Sequence, residues 1–123
     1  MIEETEKVKI SDKLNLITDY WKPVIVGELN NQHVRLVKIK GEFVMHRHDN
    51  EDEFFLVLKG HLKMDYGNRI IDVNEGEFII IPKGINHRPV ADTETHLLLF
   101  EPCSTLNTGN IRNELTLDSP QKI

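Results

Sequence analysis

The sequence predicts an all-β protein, an antiparallel sandwich or barrel, and three observations support this prediction. Short segments rich in Val, Ile, Leu and Phe follow one another from about residue 24 to about residue 101. Clusters of Gly, Pro, Asn and Asp separate these segments. Because no helical stretch lies between them, neighbouring strands must pair antiparallel, and a closed arrangement would remove the exposed sheet edges.

The strands are placed by their apolar and β-branched residues and by the turn residues that end them. They are predicted at Val24–Leu29, Val34–Lys40, Glu42–His48, Glu53–Lys59, His61–Tyr66, Arg69–Val73, Glu77–Ile81, Asn86–Val90 and His96–Glu101. Upstream, Leu14, Ile17 and Trp21 recur at helical spacing, so a short N-terminal helix or turn is expected to pack on the barrel. Pro23 would end it.

Length and composition favour one soluble globular domain. The chain has 123 residues, 39% hydrophobic and 28% charged, which argues against disordered, collagen-like and coiled-coil classes. We expect a single domain over residues 1–123, with a barrel core at about 24–102 and a C-terminal extension at 103–123. The last ten residues are expected to form a surface strand or a loose tail.

Charge and cysteine content restrict the partners and the compartment. The net charge of −5 disfavours binding to nucleic acid or to an anionic membrane, so a small molecule or a protein is the expected partner. The acidic start MIEETEKVKI does not resemble a secretory signal. Cys103 is the single cysteine, which agrees best with a reducing, cytoplasmic setting.

Several predicted strands are apolar on both faces. The runs Phe54–Leu58, Phe78–Ile81 and Leu97–Phe100 leave no face that is polar enough to lie against water. A second subunit would cover the outer faces, so a homodimer is predicted. Alternatively, the N- and C-terminal segments of the same chain would cover these outer faces.

Residues 41–53 carry the pattern that is most informative about function. On a strand, His46 and His48 share one face with Cα atoms roughly 6.5 Å apart, so both imidazoles can meet on one cation. A turn then leads to Glu53, which can face the same interior from a partner strand. Each element alone is common in proteins, and the acidic run 49–53 by itself is most simply a solvated turn.

The second half of the pattern lies downstream. Pro82 and Gly84 suit a tight turn that brings the chain back to His87. If His87 faces the interior, three imidazoles and one carboxylate converge, which suits a divalent transition ion such as Fe, Mn, Ni, Co, Cu or Zn. Four protein ligands on a six-coordinate ion leave two positions for water, oxygen or substrate, as in a working site.

The joint pattern resembles the cupin superfamily. The stretch G-x4-HxH-x4-E-x6-G at Gly41–Gly60 looks like its first motif, and G-x5-PxG-x2-H at Gly76–His87 looks like its second. The resemblance implies a double-stranded β-helix, or jelly roll, with His46, His48, Glu53 and His87 as metal ligands. The surrounding sequence is similar to small single-domain cupins grouped with mannose-6-phosphate isomerases. Ala91 stands where the second motif often has Asn.

The resemblance leaves the function open between two classes. In the first, the protein is a metal-dependent enzyme that oxygenates a diol or enediol metabolite or isomerises a sugar-like one, with Glu53 as ligand and possible catalytic base. In the second, it is a non-catalytic cupin that binds a sugar or another metabolite. A purely structural metal is the third interpretation.

The remaining polar residues are interpreted as structural. Lys38 and Arg88 are expected on the surface, Glu51 and Asp52 in an exposed turn, and His33, His61 and His96 as satisfied structural histidines. Cys103 is expected to be buried or partly buried. Phe55 is expected near the metal, where it would keep the site dry.

Overall fold

The structure is a computed structural model that describes residues 6–123. It contains one short helix and seven strands, and every strand pair in the sheet is antiparallel. The elements are α1 (Ile10–Leu14), β1 (Val24–Leu29), β2 (Gln32–Glu42), β3 (Glu53–Lys59), β4 (His61–Asp65), β5 (Ile70–Asn74), β6 (Phe78–Ile81) and β7 (Arg88–Pro102). The all-β prediction is therefore confirmed.

The last strand, β7, holds the sheet together. The hydrogen-bonded order is β1-β2-β7-β3-β6, while β4 pairs with both β5 and the start of β7. β7 pairs with β2 from Gln32↔Pro102 to Glu42↔Val90, with a register shift between Ile39 and Gly41. At that shift residues 92–94 oppose a single residue of β2, so β7 can bend there.

The core follows the strand alternation. Val37 and Ile39 of β2, Phe55 of β3 and Leu97 and Leu99 of β7 point to one side and pack together. Each fully buried side chain of this kind contributes roughly 1.5–3 kcal/mol to folding. This interior is the hollow against which the functional residues lie.

The opposite face of the sheet is apolar and partly exposed. Phe78 and Ile80 of β6 are 59% and 54% exposed, and Phe100 of β7 is 37% exposed. Phe54 lies between them in the sheet, beside Ile80 and Phe100, and its ring packs against Phe78 at 4.9 Å. These four side chains, Phe54, Phe78, Ile80 and Phe100, are called the outer apolar face below.

Two of the sequence predictions about strands are wrong. Glu42–His48 is not a separate strand, because β2 ends at Glu42 and His46 then forms one isolated bridge with His87. The ladder between β2 and β7 is interrupted here because three residues, 43–45, face only two, Arg88 and Pro89. Pro89 also lacks the N–H that would donate to the Phe43 carbonyl. Asn86–Val90 and His96–Glu101 are not two strands either, because β7 continues through the bend between them.

The predicted helix exists, but it is shorter and lies earlier. α1 covers Ile10–Leu14 and has no buried residue. Ile17 is buried beyond its end, and Trp21 adopts a positive φ of 65° before β1. No helix among the described residues is long and apolar enough to cross a membrane.

The C-terminal extension returns to the sheet. The backbone of Ile25 on β1 bonds with Gln121 and Ile123, so the last residues follow β1 as the predicted surface strand would. Nearer the middle of the chain, Asn110 exchanges two hydrogen bonds with the backbone of Arg47. The extension therefore reaches the segment that carries His46 and His48.

Candidate metal centre

Short segments around the strands position the four predicted ligands. His46 and His48 lie on the extended segment after β2, Glu53 begins β3, and His87 immediately precedes β7. His46 and His87 exchange backbone hydrogen bonds of 3.0 and 2.8 Å. The turn at Pro82–Gly84 is tied to this segment because the Gly84 N–H donates to the His48 carbonyl at 2.8 Å.

The structure brings all four side chains together in the interior. One ligand atom from each of His46, His48, Glu53 and His87 lies within 4.8 Å of the others, and all four residues are buried. Glu53 Oε1 lies 3.1 Å from His48 Nε2 and 3.2 Å from His87 Nε2. The histidine ring centroids are 4.4–5.6 Å apart.

Backbone carbonyls fix the tautomers of two of the imidazoles. His46 Nδ1 lies 2.8 Å from the Val44 carbonyl oxygen, and His87 Nδ1 lies 2.9 Å from that of Ile85. Because a carbonyl only accepts, Nδ1 must carry the proton in both rings. In the neutral rings Nε2 then carries a lone pair, which is the arrangement of a metal-ligating histidine.

Burial sets the charges of the site. It lowers the pKa of His46 to about 4, with the neighbouring His87 acting in the same direction, so His46 is neutral at neutral pH. Burial alone would raise the pKa of Glu53, but His48 and His87 outweigh it and hold the pKa well below its ordinary value. The site thus combines a carboxylate with imidazole nitrogens.

These residues fit a metal ion for a specific reason. A neutral His87 turns the lone pair of Nε2 toward the anionic Oε1 of Glu53 at 3.2 Å. The Nδ1 of buried His48 has no hydrogen-bond partner among the described residues, and its Nε2 faces the same Glu53 oxygen at 3.1 Å. Lone pairs that face each other in a dry site repel unless a positive charge lies between them, and a divalent transition ion supplies that charge.

A cavity adjoins the four residues and is mostly apolar. It encloses about 430 Å³ of atom-free space, counting its open mouth, and His46 and Glu53 form part of its wall. Its other lining side chains are Trp21, Pro23, Val37, Ile39, Phe43, Phe55, Pro89, Leu97, Leu99, Glu101 and Asn107. The rings of Trp21 and Phe43 stack at 4.9 Å, and Phe55 meets His87 edge-on at 6.2 Å, close to the metal ligands as expected.

Sequence reasoning missed a charged pair at this cavity. Arg35 and Glu101 are 1% and 2% exposed, and Arg35 Nη1 donates to Glu101 Oε1 at 3.2 Å. Burial and the carboxylate of Glu53 raise the pKa of Glu101 well above its ordinary value, which Arg35 opposes. Strand alternation could have predicted this pair. Arg35 lies two residues from inward-facing Val37, and Glu101 lies two residues from inward-facing Leu99, so both side chains point into the interior.

The other polar residues lie outside the cavity lining. The Lys38 ammonium bonds the Ile17 carbonyl, Arg88 pairs with Asp65, and His96 pairs with Glu94. Glu51 accepts from Ser104 and Asp52 from the Lys83 N–H, so neither accepts a hydrogen bond from a ligand imidazole. His61 is satisfied by Asp72 and Asn74. Cys103 is exposed, which corrects the expectation of a buried thiol.

A second group of possible ligands does not fit a metal. Glu28, His33 and Cys103 also lie close together, where β1 ends and β2 begins. The Arg35 guanidinium, which only donates, occupies His33 Nδ1 at 2.9 Å. The neutral ring therefore carries its proton on Nε2, and neither nitrogen offers a free lone pair.

Comparisons with known proteins agree with this architecture. The family model described as the cupin domain matches residues 33–101. Uncharacterized protein YdbB of Bacillus subtilis is 36% identical over 79 residues, which are 62% of this chain and 68% of that protein. A crystal structure of a cupin-2 domain containing protein from Shewanella frigidimarina is 36% identical, with a TM-score of 0.78 over 80% of this chain and 97% of that one.

A Neisseria meningitidis protein of known structure is 28% identical, with a TM-score of 0.73 over 79% of this chain and 99% of that one. The family match covers more than half of the chain, and the sheet is consistent with a jelly roll. Cupins commonly bind a metal, and a buried group of three histidines and one glutamate is present in this chain. The chain belongs to the cupin domain family.

Proposed function

We propose that the protein binds one divalent transition metal ion through His46, His48, Glu53 and His87 and is a metal-dependent enzyme acting on a small sugar-like, diol or enediol metabolite. The observation that carries the proposal is the contact between His87 Nε2 and Glu53 Oε1 at 3.2 Å, beside a mostly apolar cavity. Fe, Mn, Ni, Co, Cu and Zn all suit this ligand set, because metal availability selects among them.

The metal, when bound, would act as a Lewis acid or as a redox centre. The chain itself supplies the surroundings of the reaction. Phe43 and Phe55 keep the cavity apolar, so hydrogen bonds and charges there are strong. The carboxylate of Glu53 faces the imidazoles of His48 and His87. Its further role as a catalytic base stays a prediction.

Metal binding is tested first on its own. Metal-free protein is titrated with Zn²⁺, Ni²⁺, Mn²⁺ and Fe²⁺, and bound metal is measured by elemental analysis beside thermal unfolding. We expect one ion per chain and a rise in the melting temperature, because a ligand that binds only the folded state stabilises it. The variant H46A/H48A should lose both effects, and H61A, at an exposed histidine, should keep them.

Catalysis is tested on the reconstituted proteins by oxygen uptake with diols and by a sugar-isomerase screen. Turnover that disappears in H46A/H48A and remains in H61A supports the enzyme. Activity that survives in H46A/H48A would contradict the proposal. A protein that loses stability on chelation and binds no small molecule would show instead that the metal is structural.

The second candidate function is a non-catalytic cupin that binds a metabolite. One observation favours it: outside the proposed ligands, Glu101 is the one ionisable side chain among the described residues that line the cavity. With Glu53 held on the metal, an enzyme that needs both an acid and a base would lack one of them. A metabolite that shifts the melting temperature and yields no product over long incubation would support this candidate.

We also propose that the outer apolar face forms a homodimer interface. Phe78 and Ile80 are more than half exposed, and Phe54 and Phe100 continue the same surface. A continuous apolar patch of this kind is typical of an interface. Analytical ultracentrifugation should give a dimer for the wild type and for I70E, whose exposed isoleucine lies on β5, and a monomer for I80E. A monomeric wild type would overturn the proposal.

A further inference from the structure

The extended segment that carries His46 and His48 is held by backbone hydrogen bonds on two sides. His46 bonds the backbone of His87 through both its N–H and its carbonyl. Successive residues of an extended chain turn these groups to opposite edges, so Arg47, which stands between the two histidines, directs its N–H and carbonyl away from His87. The residue that bonds Arg47 therefore fixes the segment from its second edge.

Asn110 of the C-terminal extension supplies both partners of Arg47. Its side-chain Oδ1 accepts from the Arg47 N–H at 2.9 Å, and its own N–H donates to the Arg47 carbonyl at 3.0 Å. One residue thus takes the place that a neighbouring strand would have on this edge. Asn110 lies outside the cupin domain match at residues 33–101, so membership of the family does not predict the contact.

The extension is fixed by contacts of its own. Thr108 is fully buried, and its Oγ1 lies 2.7 Å from Thr116 Oγ1. The Asn107 side chain donates to the Leu115 carbonyl and accepts from the Leu117 N–H, both at 2.8 Å. Because these bonds join its two halves, the extension can hold a partner in a defined position.

The extension also lies directly against a proposed ligand. A Cβ on Gly109 would lie 3.0 Å from Cδ2 of the His46 imidazole, so the backbone at this glycine packs on that ring. Asn107, two residues earlier, lines the cavity together with His46. The same short stretch of the extension therefore touches an imidazole, the backbone that carries two imidazoles and the cavity beside them.

We propose that Asn110 is a positioning residue of the metal centre, and that docking of the extension and binding of the metal strengthen each other. The inference rests on the proposed function in taking His46 and His48 as metal ligands. Groups that orient the ligands of a metal change its affinity by about 10–100-fold when they are removed. By thermodynamic linkage, a contact that tightens metal binding is itself tightened by the metal to the same extent.

Three variants test the positioning role in titrations with Zn²⁺ against a competing chelator. N110A removes the Oδ1 acceptor and keeps the backbone N–H, whereas N110D keeps an oxygen that accepts from Arg47. N113A is the matched control, because the Asn113 side chain also accepts one backbone N–H, that of Leu115, but within the extension. We expect N110A to bind Zn²⁺ about tenfold more weakly than the wild type, and N110D and N113A to remain within about twofold of it.

Imidazole ¹⁵N spectra of metal-free protein separate positioning from a general loss of stability. The wild type should carry the His46 proton on Nδ1, as the bond to the Val44 carbonyl requires. In N110A the signals of His46 and His48 should move, while those of exposed His61 stay in place. An Asn110 that only stabilises the fold would leave all of these signals unchanged.

A measurement on the wild type covers the case in which N110A does not fold. Zn²⁺ should slow hydrogen exchange of the Asn110 N–H by about the factor that N110A loses in affinity. The Tyr66 N–H, which bonds the Arg69 carbonyl in the turn between β4 and β5, is the control and should change by less than about twofold. Equal effects on the two amides, or no effect on Asn110, would overturn the coupling.

The outcomes separate the two proposals. If the wild type binds no Zn²⁺, the metal-dependent function fails, and the imidazole spectra of N110A still decide whether Asn110 orients the two histidines. If the wild type binds Zn²⁺ but N110A binds it as tightly, with unmoved imidazole signals, the positioning role alone is overturned. The same conclusion follows if N113A weakens binding as much as N110A, or if N110D does not restore it.

Discussion

Replacing Gly109 by alanine should displace the backbone that carries His46 and His48, although Gly109 is not itself one of the candidate ligands. Gly109 has a φ of 57°, in the left-handed region. A Cβ placed there would lie well inside contact distance of the Arg47 carbonyl oxygen, 2.9 Å from the Arg47 carbonyl carbon and 3.0 Å from His46 Cδ2. Because Arg47 stands between His46 and His48, its backbone cannot move without carrying both imidazoles.

The cost of the substitution follows from these contacts. An alanine in the left-handed region costs about 1–2 kcal/mol. Lifting the 107–111 segment away would break the two hydrogen bonds between Asn110 and Arg47, each worth about 1 kcal/mol. The smaller entropy of unfolded alanine returns about 0.4–1 kcal/mol. We therefore expect G109A to lower the free energy of unfolding by about 2–3 kcal/mol and to weaken metal binding about tenfold.

A matched control separates backbone strain from the clash. Gly76 also has a positive φ, 80°, but a Cβ there would meet no atom of residues 6–123 within 4 Å. Urea unfolding of the metal-free proteins and titration with Zn²⁺ should show a loss of about 1 kcal/mol and unchanged metal binding for G76A. The reasoning is refuted if G109A is as stable and binds Zn²⁺ as tightly as the wild type, or if G76A is affected equally.

Three further predictions concern stability. E101L should lower the free energy of unfolding by about 3–5 kcal/mol in urea, because it leaves the buried Arg35 guanidinium, which cannot lose its charge, without its carboxyl partner, and R35M/E101L should cost less; equal losses would contradict this. T95V should cost about 1–2 kcal/mol, since Thr95 Oγ1 bonds both the N–H and the carbonyl of His61, and a loss near zero would refute it. In metal-free protein the pKa of His46 is about 4 when folded and about 6.5 when unfolded, so the unfolded chain binds more protons between these values. The free energy of unfolding should thus fall from pH 6.5 to pH 4, by up to about 3 kcal/mol, and this part of the slope should be absent in H46Q.

The sequence was sufficient for several strands and for the convergence of the four candidate ligands, because both follow local rules. Alternation and turn residues located β1 and β3 with the bounds that the structure has. The spacing of His46 and His48 predicted a shared face, and the turn at Pro82–Gly84 placed His87 beside them. The four side chains meet in the interior as the spacing requires.

What the sequence could not supply depends on pairing between distant strands. Pro89 disrupts a ladder whose other strand lies more than forty residues earlier, so Glu42–His48 looked like a regular strand. β7 looked like two strands because its bend exposes the polar residues 92–94, which left a gap between the two predicted strands. Arg35 and Glu101 looked like isolated charges, because their pairing joins β2 to the end of β7.

The central position of β7 has a consequence for how the chain folds. β2, β3 and β4 each pair with β7, and Arg35 and Glu101 are 66 positions apart. Contacts of such high sequence separation close late and slowly. All four proposed ligands precede Arg88, so a nascent chain that stops there contains every donor but lacks the strand that joins β2, β3 and β4. We expect metal to be captured only after β7 has docked, which makes loading a late event in the maturation of the protein.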